Sequence, residues 1–205
     1  MQNYFVRLVL TLALCLLLMS CAAPKQKMPI PSTTTSPAVT PSPTASSAPM
    51  AASLPPTAKI DLTKQPFLDV LFRTQLKINR IDDLYATTRR EVSNLSVVSN
   101  CNLDVLRAFV ATGWAPIVLV VSSVGGQHLS AVAGYDNTAK QIQLETPVSR
   151  TTRSLTYADF QKEWDTGSAG KCVLVTPVKL SEEKVRSTLE KYLPATQISV
   201  TVRSR

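Results

Sequence analysis

The stretch APIVLVVSSVGGQHLSAVAGYDNTAKQIQLETP, residues 115–147, changes the rhythm of this chain from helical to extended. Its opening, APIVLVVSS (115–123), is an unbroken apolar, β-branched run of the kind that forms a buried strand. Gly125-Gly126 breaks the run and turns the chain into a second apolar segment, HLSAVAGY (128–135). Asp136-Asn137 supplies the next turn, after which KQIQLE (140–145) alternates polar and apolar residues with the period of a strand. Three strands joined by short turns predict an antiparallel sheet.

Upstream the spacing is helical. QPFLDVLFRTQL (65–76) sets Phe67, Val70, Leu71 and Thr74 at helical spacing, with Pro66 suited to a first turn. IDDLYATTRREV (81–92) has Asp82 and Asp83 at its start and Arg89 and Arg90 at its end, which complements a helix dipole. NCNLDVLRAFVATG (100–113) offers Asn100 or Asn102 as a cap, Leu103, Leu106 and Val110 as a face, and Gly113 as a stop. Three helices in succession are expected there. Downstream, SLTYADFQKEW (154–164) reads as a helix with a capping box of Thr156 and Asp159. KCVLVTPV (171–178) reads as a strand, and SEEKVRSTLEKYLP (181–194) as a capped amphipathic helix stopped by Pro194. QISVTVRSR (197–205) alternates as an edge strand does. Helices first and a mostly antiparallel sheet after them predict an α+β fold.

The N-terminus says where such a domain would live. In MQNYFVRLVLTLALCLLLMS one positive charge, Arg7, precedes an uncharged apolar run over 8–19. That run is well short of the roughly 20 residues a spanning helix needs, so 1–20 read as a signal peptide rather than a retained anchor helix. Leu17-Leu18-Met19-Ser20-Cys21 resembles the lipobox of bacterial lipoproteins. The resemblance implies that Cys21 is acylated and becomes the mature N-terminus, held on a bilayer at about 0.8 kcal/mol per buried CH₂. Ala22 in place of Asp implies an outer-membrane anchor facing the periplasm. Residues 21–59 are then lipidated cysteine and linker. From Ala22 to Lys59 Pro, Ser, Thr and Ala dominate, no aromatic residue occurs, and no charge lies between Lys27 and Lys59. Such a tract buries too little apolar surface to offset its ordering entropy and serves as an extended tether.

The formal net charge is +8, with the basic residues scattered. A nucleic-acid interface would need a basic stripe interleaved with aromatics, so no nucleic acid is expected as a partner. An anionic envelope surface suits the charge better. Of the four cysteines, Cys15 leaves with the leader and Cys21 carries lipid. Cys101 and Cys172 remain, in an oxidising compartment where a disulfide between them is a reasonable expectation. One histidine and two cysteines give no metal-ligand spacing, and neither metal nor cofactor is expected.

The order of elements from about Ala108 to Pro177 is similar to the C39-like branch of the papain-like cysteine peptidases. The pieces that carry the likeness are AFVATGWAPIVLVV, QHLSAVAGYD, IQLETP, LTYADFQKEW and CVLVTP, in that order. It implies a papain-like domain over 60–178, N-terminal helices packed on a mostly antiparallel sheet, followed by a C-terminal helix and tail over 179–205. His128, the only histidine, falls on the family's catalytic histidine. The family's orienting Asp, placed before a proline, falls on Thr146 ahead of Pro147. A threonine accepts a hydrogen bond but brings no charge to an imidazolium. Glu145 is adjacent, yet strand alternation points it to the other face. Asp136, the Asp of Gly-Tyr-Asp, is the fallback acid.

The family's nucleophile opens the first helix as Cys-Gly-Pro. Set on Pro66, that motif finds Lys64 and Gln65, and no cysteine lies between Cys21 and Cys101. Cys101 is the substitute to consider, because a helix N-terminus lowers a thiol's pKa. Thr63 is a weaker alternative. Three functions follow. The first is a lipid-anchored pseudoenzyme that has lost its nucleophile and binds a peptide, protein or envelope component. The second is an active cysteine hydrolase using Cys101 and His128. The third is a structural envelope lipoprotein with a closed cleft.

Overall fold

The computed structural model describes residues 53–73, 78–122, 126–146 and 149–204. The leader over 1–20, the lipidation of Cys21 and the tract up to residue 52 lie outside the described residues. In chain order the elements are β1 (Thr57–Lys59), α1 (Pro66–Arg73), α2 (Ile81–Thr88), β2 (Leu95–Ser99) and α3 (Leu103–Ala111). Then come β3 (Ile117–Ser122), β4 (Gly126–Asp136), β5 (Gln141–Thr146), β6 (Thr151–Thr156), α4 (Tyr157–Gly167), β7 (Cys172–Val175), α5 (Glu182–Leu189) and β8 (Thr201–Ser204). The sheet runs β6-β5-β4-β3-β7-β2-β8, with β1 on β4, and every pairing is antiparallel. Mixed helix and antiparallel sheet is the α+β class that the sequence predicts.

The decisive stretch folds as three consecutive antiparallel strands. β3 pairs with β4 from Ile117↔Ala131 to Ser122↔Gly126, and β4 pairs with β5 from Ala131↔Glu145 to Asp136↔Gln141. A bulge between Val132 and Gly134 re-registers β4 midway. Past the bulge β1 occupies the same edge of β4 that β3 uses before it, Lys59 opposite Gly134. β7 touches β3 only at Ile117↔Val173. Beyond that point the hydroxyl of Ser168, just after α4, takes over: it accepts from Leu119 N at 3.3 Å and donates to Leu119 O at 3.2 Å. This replaces a missing ladder partner for a buried backbone.

The expected caps form. Asn102 accepts from Val105 N at 2.9 Å, Thr156 from Asp159 N at 3.1 Å and Ser181 from Lys184 N at 3.1 Å. Gly113, with φ of 84°, ends the stretch after α3. β8 does form as an edge strand on β2.

Three expectations need correction. The helices at the N-terminal end are not in direct succession, because β2 stands between α2 and α3. Its short apolar run, LSVVS, has neither helical nor alternating period, and pairing with β7 and β8 on its two edges makes it a strand. α1 buries Leu68, Leu71 and Phe72 and leaves Phe67 48% and Val70 42% exposed. Apolar residues ring most of this short helix, so spacing alone could not choose the face. The linker also ends earlier than residue 59. Asn137 Nδ2 donates to Pro55 O at 2.9 Å, Asn137 N to Pro56 O at 2.8 Å and the Tyr135 hydroxyl to Pro55 O at 3.1 Å. The last prolines of the tract are thus part of the fold, stitched to the β4–β5 turn.

Candidate functional site

His128 stands opposite Val120, near the end of β3. Alternation puts it on one face with Val118, Val120, Ser130 and Val132, and Leu119, Leu129 and Ala131 on the other. The imidazole is half-buried, and no described residue forms a hydrogen bond with it. Glu145 pairs with Ala131, which confirms its expected turn away from the histidine's face. Thr146 follows on that face. The register, extended by one residue, brings it level with Ser130, a diagonal of roughly 7–8 Å from His128 between backbones. No hydrogen bond joins the two among the described residues.

The other acid is far away. Asp136 closes the same strand eight residues later, about 26 Å along it at roughly 3.3 Å per residue. Its Oδ1 accepts from Thr138 N at 2.8 Å and Ala139 N at 2.9 Å. It shapes the turn, as such residues commonly do, and does not orient His128.

Nor does any of the nucleophiles that the sequence suggests stand beside it among the described residues. Lys64, at the position of the family's cysteine, is exposed and pairs with Asp61 at 3.4 Å. Gln65 Nε2 donates to Gly113 O at 3.2 Å, just before β3 begins, whereas His128 stands near where β3 ends. Thr63 is held by the Asp61 carboxylate, whose pKa these hydrogen bonds lower. Cys101 lies past the end of β2. Two strands, β7 and β3, separate β2 from β4, so its backbone is about 14 Å from that of His128 at roughly 4.8 Å per strand. What Cys101 does touch is Cys172: the two Sγ atoms are 3.8 Å apart, both buried. Burial, then the neighbouring Cys101 thiol, pushes the Cys172 pKa well up, the reverse of an activated thiol.

A groove that the sequence did not reveal opens between α4 and the sheet. About 440 Å³ in volume, it is lined by Val121, Arg153, Leu155, Asp159, Lys162, Glu163 and Thr166. Arg153 and Glu163 join across it in a two-pronged ion pair. Val121 pairs with Gln127, the residue before His128, and by the same alternation points to the face opposite the imidazole. Asp159, Lys162, Glu163 and Thr166 recur at helical spacing along one stripe of α4, and Arg153 and Leu155 alternate along β6. Those two periods were the available signal.

At the opposite end of β4 the polar cluster is structural. Arg107 bonds to Asp104 and Asn137 and lies 5.1 Å over the Tyr157 ring. Burial pushes the neighbouring Tyr135 phenol up to about 12. Among the described residues no group of His, Cys, Asp and Glu is placed to hold a metal ion, and no helix is long and apolar enough to cross a membrane. Compared with protein-family models, with curated proteins and with solved structures, the chain matches none, and the C39-like resemblance therefore rests on this chain's own residues.

Proposed function

We propose that this is a lipid-anchored envelope protein whose folded domain is a papain-like, C39-like module without a nucleophile, acting by binding a peptide or protein segment. One observation carries the reading: the domain's two thiols contact each other at 3.8 Å, and β2 and β7, the strands beside which they lie, are three and two strand spacings from the strand of the lone histidine, about 14 and 10 Å at roughly 4.8 Å each. Thiol chemistry needs a thiolate within hydrogen-bond reach of its base, and here the two thiols face each other instead of the imidazole. Support for the C39-like ancestry is the order α3, β3, β4, β5, α4, β7, with His128 early in β4.

The groove between α4 and the sheet, which His128 does not line, is what supports binding as the role. Leu155 and Val121 offer apolar floor, while Arg153, Glu163, Asp159 and Lys162 offer both signs of charge. That mixture suits a peptide, which presents alternating side chains and a polar backbone.

Two labelling experiments test the reading. Radiolabelled palmitate fed to cells should enter the full chain and fail to enter Cys21→Ala. A thiol-directed epoxide probe for cysteine peptidases should leave Cys101 and Cys172 unmodified in the native protein. Rapid labelling of Cys101 that disappears in His128→Ala would establish a working hydrolase and overturn the proposal.

A further inference from the structure

We infer that Cys101 and Cys172 are joined by a disulfide in the mature protein, stapling the turn between β2 and α3 to the start of β7. The chain between them, 71 residues in separation, carries α3, β3, β4, β5, β6 and α4. The bridge would therefore close a loop around four of the eight strands and around the whole groove. It shares with the binding proposal the premise of export to an oxidising compartment, and it goes beyond that proposal in assigning a covalent bond.

The geometry comes from the backbone. Cys172 pairs directly with Val98 across β2 and β7. Three residues on, Cys101 N donates to Gly170 O at 2.8 Å, so both ends of the short crossing are pinned. Gly170 makes the approach feasible: its φ is 71°, and a Cβ there would lie 3.1 Å from Cys101 O. The sulfurs already sit 3.8 Å apart with backbones paired on both sides, so small side-chain rotations are enough to bring them to bonding distance. Among the described residues, the only other polar contact of Cys101 Sγ is a long one, 3.6 Å to Val98 O.

The chemistry balances with a disulfide-bearing oxidant, either a dithiol–disulfide oxidoreductase or oxidised glutathione. The Cys101 thiolate attacks the oxidant's disulfide, forming a mixed disulfide and releasing one oxidant thiolate. The Cys172 thiolate then attacks the Cys101 sulfur, the protein disulfide forms and the second oxidant thiolate leaves. Two thiols lose two protons and two electrons, and the oxidant is reduced to two thiols. Cys101 is the natural first attacker because it is 7% exposed against 0% for Cys172. Burial pushes the Cys172 pKa well up in the folded protein, which disfavours Cys172 as the first attacker in the same way.

The test uses the full chain in two arms. In the first, cells are lysed into iodoacetamide and the protein is mapped by mass spectrometry without reductant. The expected result is a cross-linked peptide pair two hydrogens lighter than its parts, with neither cysteine alkylated. In the second, purified protein is unfolded, reduced and refolded in a reduced/oxidised glutathione buffer. The bridge should form there, and its reduction should lower Tm by about 10 °C. The double variant Cys101→Ala/Cys172→Ala should show a Tm insensitive to reductant. Free thiols in both arms overturn the bridge and leave the binding proposal standing. A bridge in refolded protein with free thiols in cells overturns both the bridge in the mature protein and the premise of export.

Discussion

Arg153 on β6 and Glu163 on α4 meet as a fork, Nη1 to Oε2 at 2.9 Å and Nη2 to Oε1 at 2.6 Å. The carboxylate is mostly shielded while the guanidinium is 41% exposed, so the pair fixes the helix against the edge strand without being deeply desolvated. Replacing Arg153 with Met leaves a mostly shielded carboxylate unpaired. The expected cost is about 1–2 kcal/mol in urea unfolding, with the solvent-exposed side of the pair holding the figure down. Arg153→Met/Glu163→Gln should recover part of it. A loss that is simply additive in the double variant would show that the fork contributes nothing.

Gly167 and Gly113 make a contrasting pair. A Cβ on Gly167 would lie 2.0 Å from Leu119 O and 2.7 Å from Leu119 C, backbone atoms that cannot swing aside. Gly167→Ala must therefore lift the end of α4 off β3 and should cost about 3 kcal/mol. A Cβ on Gly113 meets nothing within 4 Å, but its φ is +84°. Gly113→Ala should cost only backbone strain, about 1–2 kcal/mol. Equal losses in thermal unfolding would contradict the close packing of α4 on β3.

How much of this was legible beforehand depended on whether a local period existed. β3, β4 and β5 carry unambiguous runs or alternation, and the caps at Asn102, Thr156 and Ser181 announce themselves by residue type. β6 reads TTRSLT and its outer neighbour is solvent, so little in its composition marks it as a strand; pairing with β5 makes it one. β1 is likewise three residues, TAK, set by β4. On the functional side, His128 was visible as a motif, but the separation of Cys101 from it was not, because it follows from strand order β4-β3-β7-β2. The groove was invisible for the same reason: Val121 and Glu163 are brought together only by α4 crossing back over the sheet.

Asp82 ties three segments together. Its carboxylate accepts from Lys171 Nζ at 2.8 Å, ahead of β7, and from Arg203 of β8. The Lys171 hydrogen bond foremost, and Arg203 with it, hold its pKa below the usual Asp value of 3.8 against partial burial. A folded pKa below the unfolded one means that the contribution is fully present above the unfolded value. It is lost as pH falls through the folded one. Wild-type stability should thus decline from about pH 5 downwards, and Asp82→Asn should be less stable at pH 7 with a shallower acid-side decline. Urea midpoints measured across that range check it; identical slopes in the two proteins would remove Asp82 from the account.

Asn137 anchors the point where the tract meets the fold. It gives Pro55 a side-chain bond and Pro56 a backbone bond, and its Oδ1 accepts from the Tyr157 hydroxyl at 2.8 Å and from Arg107. Asn137→Ala removes the side-chain bonds and leaves Arg107 and Tyr157 short of an acceptor in a part-buried place. A loss of about 2 kcal/mol is expected, together with faster proteolytic clipping near Pro56 in limited digestion. Unchanged clipping would mean that β1's pairing with β4 holds this segment by itself.

The histidine gives the sharpest separation between a binding module and an enzyme. A catalytic imidazole is held by an acceptor on one nitrogen and a nucleophile on the other, and mutating it costs orders of magnitude in kcat/KM. His128 has neither partner among the described residues, and its half-buried ring packs beside Val120 without a hydrogen bond to lose. His128→Ala should therefore change unfolding free energy by less than about 1 kcal/mol. Peptide-library binding measured at the α4 groove should then respond more to Leu155→Glu, which puts charge on its apolar floor, than to His128→Ala. If instead His128→Ala leaves affinity intact but abolishes turnover of a bound peptide, the imidazole is doing chemistry, and a nucleophile must be sought outside the described residues.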